Sequence, residues 1–331
     1  MNKKIIATAV AAAFALPVIA AHAADFETKG PSLYGKLHLN LSKYDNDGTA
    51  GDNYKLNSFD SRLGFKGQQN LGEGLAGTYQ IEGKIVVDGK TSNFADRTTY
   101  AGLKGGFGEV RVGYHDSPLK MAQGKFDQFG DTDGDFKHAG AEAAEHRNAN
   151  SITYLGKFGN IGFNAQLVPG EGTGVAGGNG NSITDTTSIA LTYKAGPLYL
   201  AAATDSYDKK AIASSAINSA TRLVAIYKMN DMQFGVLSQS GVEAANASSN
   251  AKVDWLGLSF NVKLGGNNKL KAQYITTKDH ATTAEEGKQT TVGFDHALGK
   301  KGTLYAMYNK TDMTTAANDK SSVSIGYVLK F

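Results

Sequence analysis

Cysteine is absent from the 331 residues of this sequence, and both proline, with 5 residues, and tryptophan, with 1, are scarce. The lack of cysteine excludes a fold that is held together by disulfides. A dominant charge of one sign is lacking as well, because 34 Lys and Arg residues stand against 31 Asp and Glu residues. The formal net charge of +3 therefore gives no argument for a nucleic-acid partner.

Long apolar runs are missing after the first 23 residues, so we expect no membrane-spanning helix there. The start, MNKKIIATAVAAAFALPVIAAHA, has two lysines, a short apolar run and a small-residue A-x-A site. These features predict a cleaved secretory signal peptide over residues 1–23 rather than a membrane anchor. The predicted mature chain, residues 24–331, carries a net charge of +1 and shows no internal boundary, so we expect a single domain.

Glycine and two aromatic residues are abundant, with 40 Gly, 15 Tyr and 15 Phe. This composition, with little proline, is typical of a large antiparallel β structure with many turns. In LYGKLHLNLS, residues 33–42, apolar and polar residues alternate as in a strand with one apolar and one wet face. Sixteen segments, most of them about ten residues long, show this pattern.

The connections between these segments alternate in length. Seven are short turns rich in Gly, Asn or Asp, such as KAGP and KMND, and they join the segments in pairs. The others are long, and one runs from Asp116 to Glu145. Short turns at one end and long loops at the other are typical of bacterial outer-membrane barrels, which have an even number of strands.

The polar faces of the segments carry many charged residues, among them Lys36, Arg62, Glu82 and Arg97. A packed core could not hold so many charges unpaired, whereas a water-filled lumen could, with the apolar faces turned to lipid. The sequence therefore predicts an all-β fold, a transmembrane antiparallel β-barrel of 16 strands. The last segment would pair with the first to close the sheet, and its lipid-facing residues would be Val323, Ile325, Tyr327, Leu329 and Phe331.

Several blocks of the sequence resemble the Gram-negative general diffusion porins: SLYGKLHLNL, DSRLGFKGQQNLGEGLAGTYQIE, DRTTYAGLKGGFGEVRVGYHDSP, HRNANSITY and YVLKF. The resemblance implies a homotrimer of sixteen-stranded barrels in the outer membrane of a Gram-negative bacterium, surrounded by lipid and lipopolysaccharide. It implies a long third loop folded into the lumen and passive diffusion of small hydrophilic solutes and ions. It also implies that the last strand, with Tyr327 and Phe331, is read by the outer-membrane assembly machinery.

The same resemblance implies a basic cluster on the barrel wall that faces an acidic third loop. The matching basic residues are Lys36 in YGK, Arg62 in SRLGFKG, Arg97 before TTYAGLKG and Arg147 in RNANS, and strand parity alone adds Arg111. The loop from Asp116 to Glu145 holds seven acidic residues and three lysines, and its FDQFGD portion suggests Asp127 and Asp131 as the carboxylates of the constriction. Because Gln128 stands where many relatives have glutamate, the ion preference stays open.

Other sites are weakly indicated. Asp131, Asp133 and Asp135 invite a calcium reading, but an EF-hand needs glycine where Phe136 stands, so only a loosely bound Ca²⁺ stays open. The spacing of the histidines is no metal signature, and we expect no metal site and no cofactor; the histidines concerned are His115, His138 and His146. Trp255 is either an interfacial anchor or a strand residue that a neighbour buries.

Three alternatives to a general diffusion channel remain at this point. One is a substrate-specific channel for an anion or a sugar. Another is a barrel enzyme, for which His38 and Asp60 would lie on adjacent strands, but no nucleophile motif such as G-x-S-x-G is present. The third is an adhesive or phage-binding barrel, which the long loops permit. We expect a channel without enzymatic activity.

Overall fold

The structure is a computed structural model that describes residues 26–46, 53–89, 94–136, 144–170, 182–207, 217–243, 252–280, 286–314 and 319–331. The predicted signal peptide, residues 1–23, lies outside the described residues, and so does His138. Within these ranges, no helix is long and apolar enough to cross a membrane.

The described chain is almost entirely β. The strands are β1 (Lys29–Asn46), β2 (Asn53–Ser58), β3 (Arg62–Gly72), β4 (Leu75–Lys84), β5 (Ala95–Gly105), β6 (Gly108–Asp116), β7 (Arg147–Phe158), β8 (Ile161–Val168), β9 (Thr186–Ala195), β10 (Leu198–Tyr207), β11 (Ile217–Met229), β12 (Met232–Glu243), β13 (Lys252–Gly265), β14 (Asn268–Asp279), β15 (Gly287–Leu298), β16 (Gly302–Met313) and β17 (Lys320–Lys330). One short helix, α1 (Pro118–Ala122), follows β6, and its N-cap Ser117 accepts the N–H of Lys120.

The sheet closes on itself. From β3 onward, each strand pairs antiparallel with the next, and β17 returns to pair with β1, for example Tyr327 with Leu39. Both β2 and β3 pair with β1, so they are two halves of one barrel strand, and the barrel has sixteen. This confirms the predicted all-β antiparallel barrel.

The interruption between β2 and β3 was not expected from the sequence, which alternates through it. Asp60 adopts a left-handed backbone conformation with a φ of 44°, which Asp tolerates better than most residues. The Oγ of Ser61 accepts the backbone N–H of His38 at 2.9 Å, so a side chain takes over one ladder hydrogen bond. The alternation of polar and apolar residues does not indicate that a side chain replaces a backbone hydrogen-bond partner at this point.

The two faces of the barrel strands match the predicted alternation. In β17, Val323 and Ile325 point outward and are 56% and 66% exposed, whereas Ser322 and Ser324 point inward and are buried. At the seam, Phe331 lies over Gly35 of β1, where a Cβ atom would be 2.3 Å from the ring. The two residues also exchange backbone hydrogen bonds of 3.1 Å, which extends the closing ladder to the last residue.

Candidate functional site

The third loop, of which residues 117–136 and 144–146 are described, lies inside the barrel. Near α1, Tyr199 of β10 donates its hydroxyl to the carbonyl of Ala122 at 2.9 Å. Farther along, Gln273 of β14 accepts the N–H of Gln128 at 2.9 Å. The tip then reaches β1, where Tyr44 donates to Asp133 at 2.8 Å. The expectation of a loop folded into the lumen is confirmed.

An apolar cluster fixes the loop to the inner wall of β9–β14. From the loop, Leu119, Phe126 and Phe136 are fully buried against wall residues that include Leu237, Trp255 and Ile275. Trp255 is therefore the buried strand residue and not an interfacial anchor, because the loop covers it. This contact explains why apolar residues lie on an inward face of the barrel wall, since the loop excludes water from them.

A buried ion pair adds a second attachment. The guanidinium of Arg222 on β11 is completely buried, and its Nη1 lies 2.6 Å from Oε1 of Glu145. The same side chain donates to Gln239 at 2.7 Å and to the carbonyl of Leu119 at 3.3 Å. Arg222 thus ties the beginning of the loop to its end. Burial raises the pKa of Glu145, and the neighbouring Arg222 opposes that rise.

These attachments leave one side of the lumen open. The contacts that attach the part of the loop between Met121 and Phe136 to the wall avoid β4–β8. The partners on the wall lie instead on β10, β12–β15, β17, β1 and β3. The wall of β4–β8 is therefore the side of the lumen to which these contacts do not attach the loop.

The predicted arginines of this open wall each have an acidic neighbour. Arg97 donates to Glu82 at 2.7 Å and to Asp60 at 3.0 Å. Arg111 binds both carboxylate oxygens of Glu109, at 2.8 and 2.9 Å. Arg147 donates to Asp116 at 2.9 Å. Each guanidinium is thus held in place and partly neutralised, so the wall is less positive than its arginines alone suggest.

Lys36 and Arg62 meet the loop directly. The Nζ of Lys36 lies 2.5 Å from Oδ2 of Asp131, and Nη2 of Arg62 lies 3.6 Å from the same oxygen. In the sheet register Lys36 pairs with Arg62, and Arg62 pairs with Lys84, so three cations form one inward row. Asp131 touches this row rather than facing it across water, so it attaches the loop tip to the wall.

Asp127 has a different environment from Asp131. Its carboxylate turns into the loop and accepts the N–H of Phe129 at 2.8 Å and that of Phe136 at 3.4 Å. The structure therefore brings Asp131, but not Asp127, to the basic row. Burial, and next the nearby Asp135, raise the pKa of Asp127 to about 8.

This pKa predicts that loop attachment depends on pH. Since the pKa of Asp127 is raised in the folded loop, protonation favours the folded state, and that contribution is lost as the pH rises through about 8. Between about pH 7 and about pH 9 we expect the free energy of unfolding to fall by about 1.4 kcal/mol. Thermal unfolding followed by circular dichroism measures this loss. Asp127→Asn keeps an acceptor for Phe129 without a charge, and should flatten the dependence; an unchanged dependence would contradict the assignment.

The calcium hypothesis finds no converging ligands. Asp131 contacts Lys36, Asp133 accepts hydroxyl hydrogen bonds, and Asp135 accepts the N–H of Asp131 at 2.9 Å. Among the residues that the structure describes, no group of three or more His, Cys, Asp or Glu side chains is placed to hold a metal ion.

The ring of His146 packs on Tyr207, with centroids 4.7 Å apart. Burial and nearby cations lower the pKa of His146 to about 4.

The side chains considered for an enzyme do not form a catalytic set. The Nε2 of His38 is hydrogen-bonded to the hydroxyl of Tyr305 at 2.9 Å. Asp60 lies against Arg97 and Lys84, at 3.0 and 3.5 Å. The hydroxyl of Ser61 bonds to the backbone of His38 and not to its ring. No nucleophile and base are paired here, which nucleophilic catalysis would require.

Comparison with known proteins identifies the family. The family model described as Gram-negative porin matches residues 7–316. The chain belongs to this family. It is an outer-membrane β-barrel of a Gram-negative bacterium.

Two curated relatives carry related names. The porin is 28% identical to outer membrane porin protein 32 of Delftia acidovorans over 339 residues, which cover 95% of this chain and 93% of the relative. It is 31% identical to major outer membrane protein P.IB of Neisseria gonorrhoeae over 192 residues, or 54% of this chain. The latter match spans about half of the relative's length, 51%.

Solved structures share the fold. An anion-selective porin from Comamonas acidovorans is 23% identical, with a TM-score of 0.76 over 92% of this porin and 100% of that chain. Salmonella typhi OmpF is 16% identical, with a TM-score of 0.72 over 91% and 97% of the two chains. A trimer form of Vibrio cholerae OmpT is 14% identical, with a TM-score of 0.70 over 92% and 100%.

Several pairings in the porin's lumen do not follow from the sequence. Asp60 and Glu82 hold Arg97, and Lys84 extends the basic row. The sequence does not connect Arg222 with the third loop, because β11 is far from that loop in the chain. One signal was available: it is the fifth arginine of a sequence with only five, and an arginine on an inward strand face needs an acidic partner or water.

Proposed function

We propose that this porin forms a water-filled channel through which ions and small hydrophilic solutes diffuse passively across the outer membrane. One observation carries the proposal: a closed barrel with polar inward faces holds its third loop on one side of the lumen and leaves a charged wall uncovered on the other. The passage acts through its shape and its field, so it requires no cofactor. The absence of a nucleophile–base pair at His38 supports a channel over an enzyme.

The constriction we propose has two parts. Lys36, Arg62 and Asp131 pin the loop tip and set the width of the passage. Arg97, Arg111 and Arg147 line the open side, where polar solutes would be oriented between charges of both signs. Asp127 supports the loop from within, through its hydrogen bond to Phe129.

A weak preference for anions is the selectivity that these charges favour. A structural relative is named as an anion-selective porin. Here the arginines of the passage have carboxylate partners, which reduces their net field, so we expect a modest preference rather than a channel for a single substrate.

We also propose that the porin works as a homotrimer in a lipid and lipopolysaccharide bilayer. The trimer form of a structural relative supports this assembly. The last strand, with outward Tyr327 and Phe331 over Gly35, would present an apolar edge to the assembly machinery before the seam closes.

The test is single-channel conductance in a planar bilayer, with the reversal potential measured under a salt gradient. Asp131→Asn should shift the reversal potential in the direction of greater anion selectivity, because it leaves Lys36 and Arg62 without their carboxylate. Arg97→Gln should shift it toward cations, since Asp60 and Glu82 lose their guanidinium. Asp312→Asn is the matched control, because Asp312 forms a surface ion pair with Lys310. This variant should leave the reversal potential unchanged. Identical reversal potentials in all variants would refute the constriction, and no conductance would refute the channel.

A further inference from the structure

One backbone hydrogen bond recurs at the short-turn end of successive hairpins. The donor lies near the end of a strand that runs from the long-loop end of the barrel to the short-turn end. It donates its backbone N–H to a carbonyl of the preceding short turn. The donors are Lys194 (to Asn160, 2.9 Å), Lys228 (to Pro197, 3.1 Å), Lys263 (to Asp231, 3.0 Å), Ala297 (to Asn267, 2.9 Å) and Lys330 (to Lys301, 2.8 Å). The same structural position is thus lysine in four of these five strands.

The side chains at this position point into the lumen, as their cross-strand partners show. Residues directly opposite each other in a strand pair share a face of the sheet. Lys194 lies opposite Tyr199, which bonds to Ala122 of the loop. Lys228 lies opposite Gln233, which donates to the carbonyl of Lys125 in the loop at 2.9 Å.

The remaining strands follow the same pattern. Lys330 lies opposite Lys36, which contacts Asp131 of the loop. Lys263 lies between outward Val262 and exposed Leu264, and so also points inward. Strands β5 and β7 carry lysines near their ends too, each next to an exposed outward residue, Leu103 or Phe158. We call this set the lysine collar: Lys104, Lys157, Lys194, Lys228, Lys263 and Lys330.

The collar differs from the arginine wall because its lysines, among the residues that the structure describes, lack close carboxylate contacts. Within the described ranges, no collar lysine has a carboxylate oxygen within 4.0 Å, whereas Arg97, Arg111 and Arg147 each do. The inward acids Asp295 and Glu109 do not compensate, because Lys271 at 2.8 Å and Lys269 at 3.3 Å already contact Asp295, and Arg111 at 2.8 Å already contacts Glu109. Positive charge is therefore in excess at this mouth.

The spacing of the collar allows its charges to act together. Alternate strands of a sheet lie about 9–10 Å apart, and the Debye length is about 8 Å at physiological salt. The potentials of neighbouring lysines therefore overlap into a positive arc along β5–β13, with Lys330 on β17 four strands from either end of the arc. At about 1 M salt the Debye length falls to about 3 Å, and the arc separates into isolated, screened charges.

We propose that the lysine collar makes the channel conduct asymmetrically, with larger currents when anions enter through the mouth that carries the short turns, which is the periplasmic one. Anions concentrate at the collar. When the voltage drives them inward they fill the passage, and the opposite voltage draws them out of it and leaves it depleted. The proposal rests on the channel function proposed above.

The test compares currents at equal and opposite voltages in about 0.1 M and about 1 M KCl. Lys194→Gln, Lys228→Gln and Lys263→Gln together remove half of the collar. The matched control replaces three exposed lysines that point outward at the long-loop end, Lys278, Lys288 and Lys310, by glutamine. Because the porin has no cysteine, a biotin attached at Asn160→Cys, with streptavidin in one chamber, reports its orientation.

We expect unequal currents from the wild-type channel at the lower salt, with the inequality at least halved in the collar triple variant and unchanged in the control. It should also largely vanish at the higher salt. Ala297→Lys, which fills the vacant fifth position, should increase it. Equal currents from a conducting wild-type channel, or an inequality that survives in the collar variant, would overturn the collar alone. Absence of any conductance would overturn the proposed channel function and the collar with it.

Discussion

Replacing Arg222 by methionine is expected to loosen the third loop and to increase both the single-channel conductance and the current noise. The substitution leaves Glu145 buried without its cation and removes the bonds to Gln239 and Leu119. Removing one partner of a buried ion pair costs about 3–5 kcal/mol. That is enough to compete with the remaining attachments of the loop, so we expect the passage to widen intermittently.

A double variant separates the ion pair from simple loss of packing. Arg222→Met combined with Glu145→Gln removes both charges, and replacing a buried pair as a whole costs far less than breaking it. Conductance and thermal unfolding should therefore return most of the way to wild type. If the single and double variants behave alike, the pair does not hold the loop and the apolar cluster alone does.

Replacing Phe126 by alanine is expected to have an effect of similar size through packing instead of charge. The ring is fully buried, stands edge-on to Phe136 at 6.1 Å, and fills a notch over two glycines of the wall. A Cβ on Gly257 would lie 2.5 Å from the ring, and one on Gly235 would lie 3.2 Å from it. Truncating a buried Phe costs about 3–5 kcal/mol, and here much of that loss weakens the attachment of the loop.

A size exchange tests this contact. Gly257→Ala alone should also raise the conductance noise, because the added methyl group displaces the ring of Phe126. Combining it with Phe126→Ala places the methyl group in the vacated space, so the double variant should be closer to wild type than the Phe126 variant. Phe158→Ala is the control, since this ring points outward and is 53% exposed. Noise that rises equally in the control would rule out a specific role for Phe126.

The barrel could be predicted from the sequence because its signals are local. Each strand alternates with period two, and each short turn lies next to the strands that it joins, so strand count and faces follow without knowledge of distant partners. The break at Asp60 could not be predicted this way. It depends on the contact of Ser61 with His38, which lies on the neighbouring strand.

The sequence predicts on which face of the sheet the residues of the candidate site lie, but not which of them form ion pairs with each other. Parity places Arg97, Arg111 and Arg147 on the inward face, where the structure has them paired. Inside the loop no period exists, so the sequence could not tell that Asp131 would reach Lys36 while Asp127 turns back to its own backbone. Such choices depend on the shape of the opposing wall, which forms only when distant strands assemble.

The one-sided seating of the third loop separates two tasks within a single barrel. Contacts that fix the loop lie mainly on β9–β17, β1 and β3, while the proposed passage of the solute faces β4–β8. An engineer who builds a nanopore sensor from this chain can therefore rewrite the chemistry of the passage on one semicircle without changing its width. The width of the passage and its affinity for a solute can then be designed separately, because different sets of strands determine them.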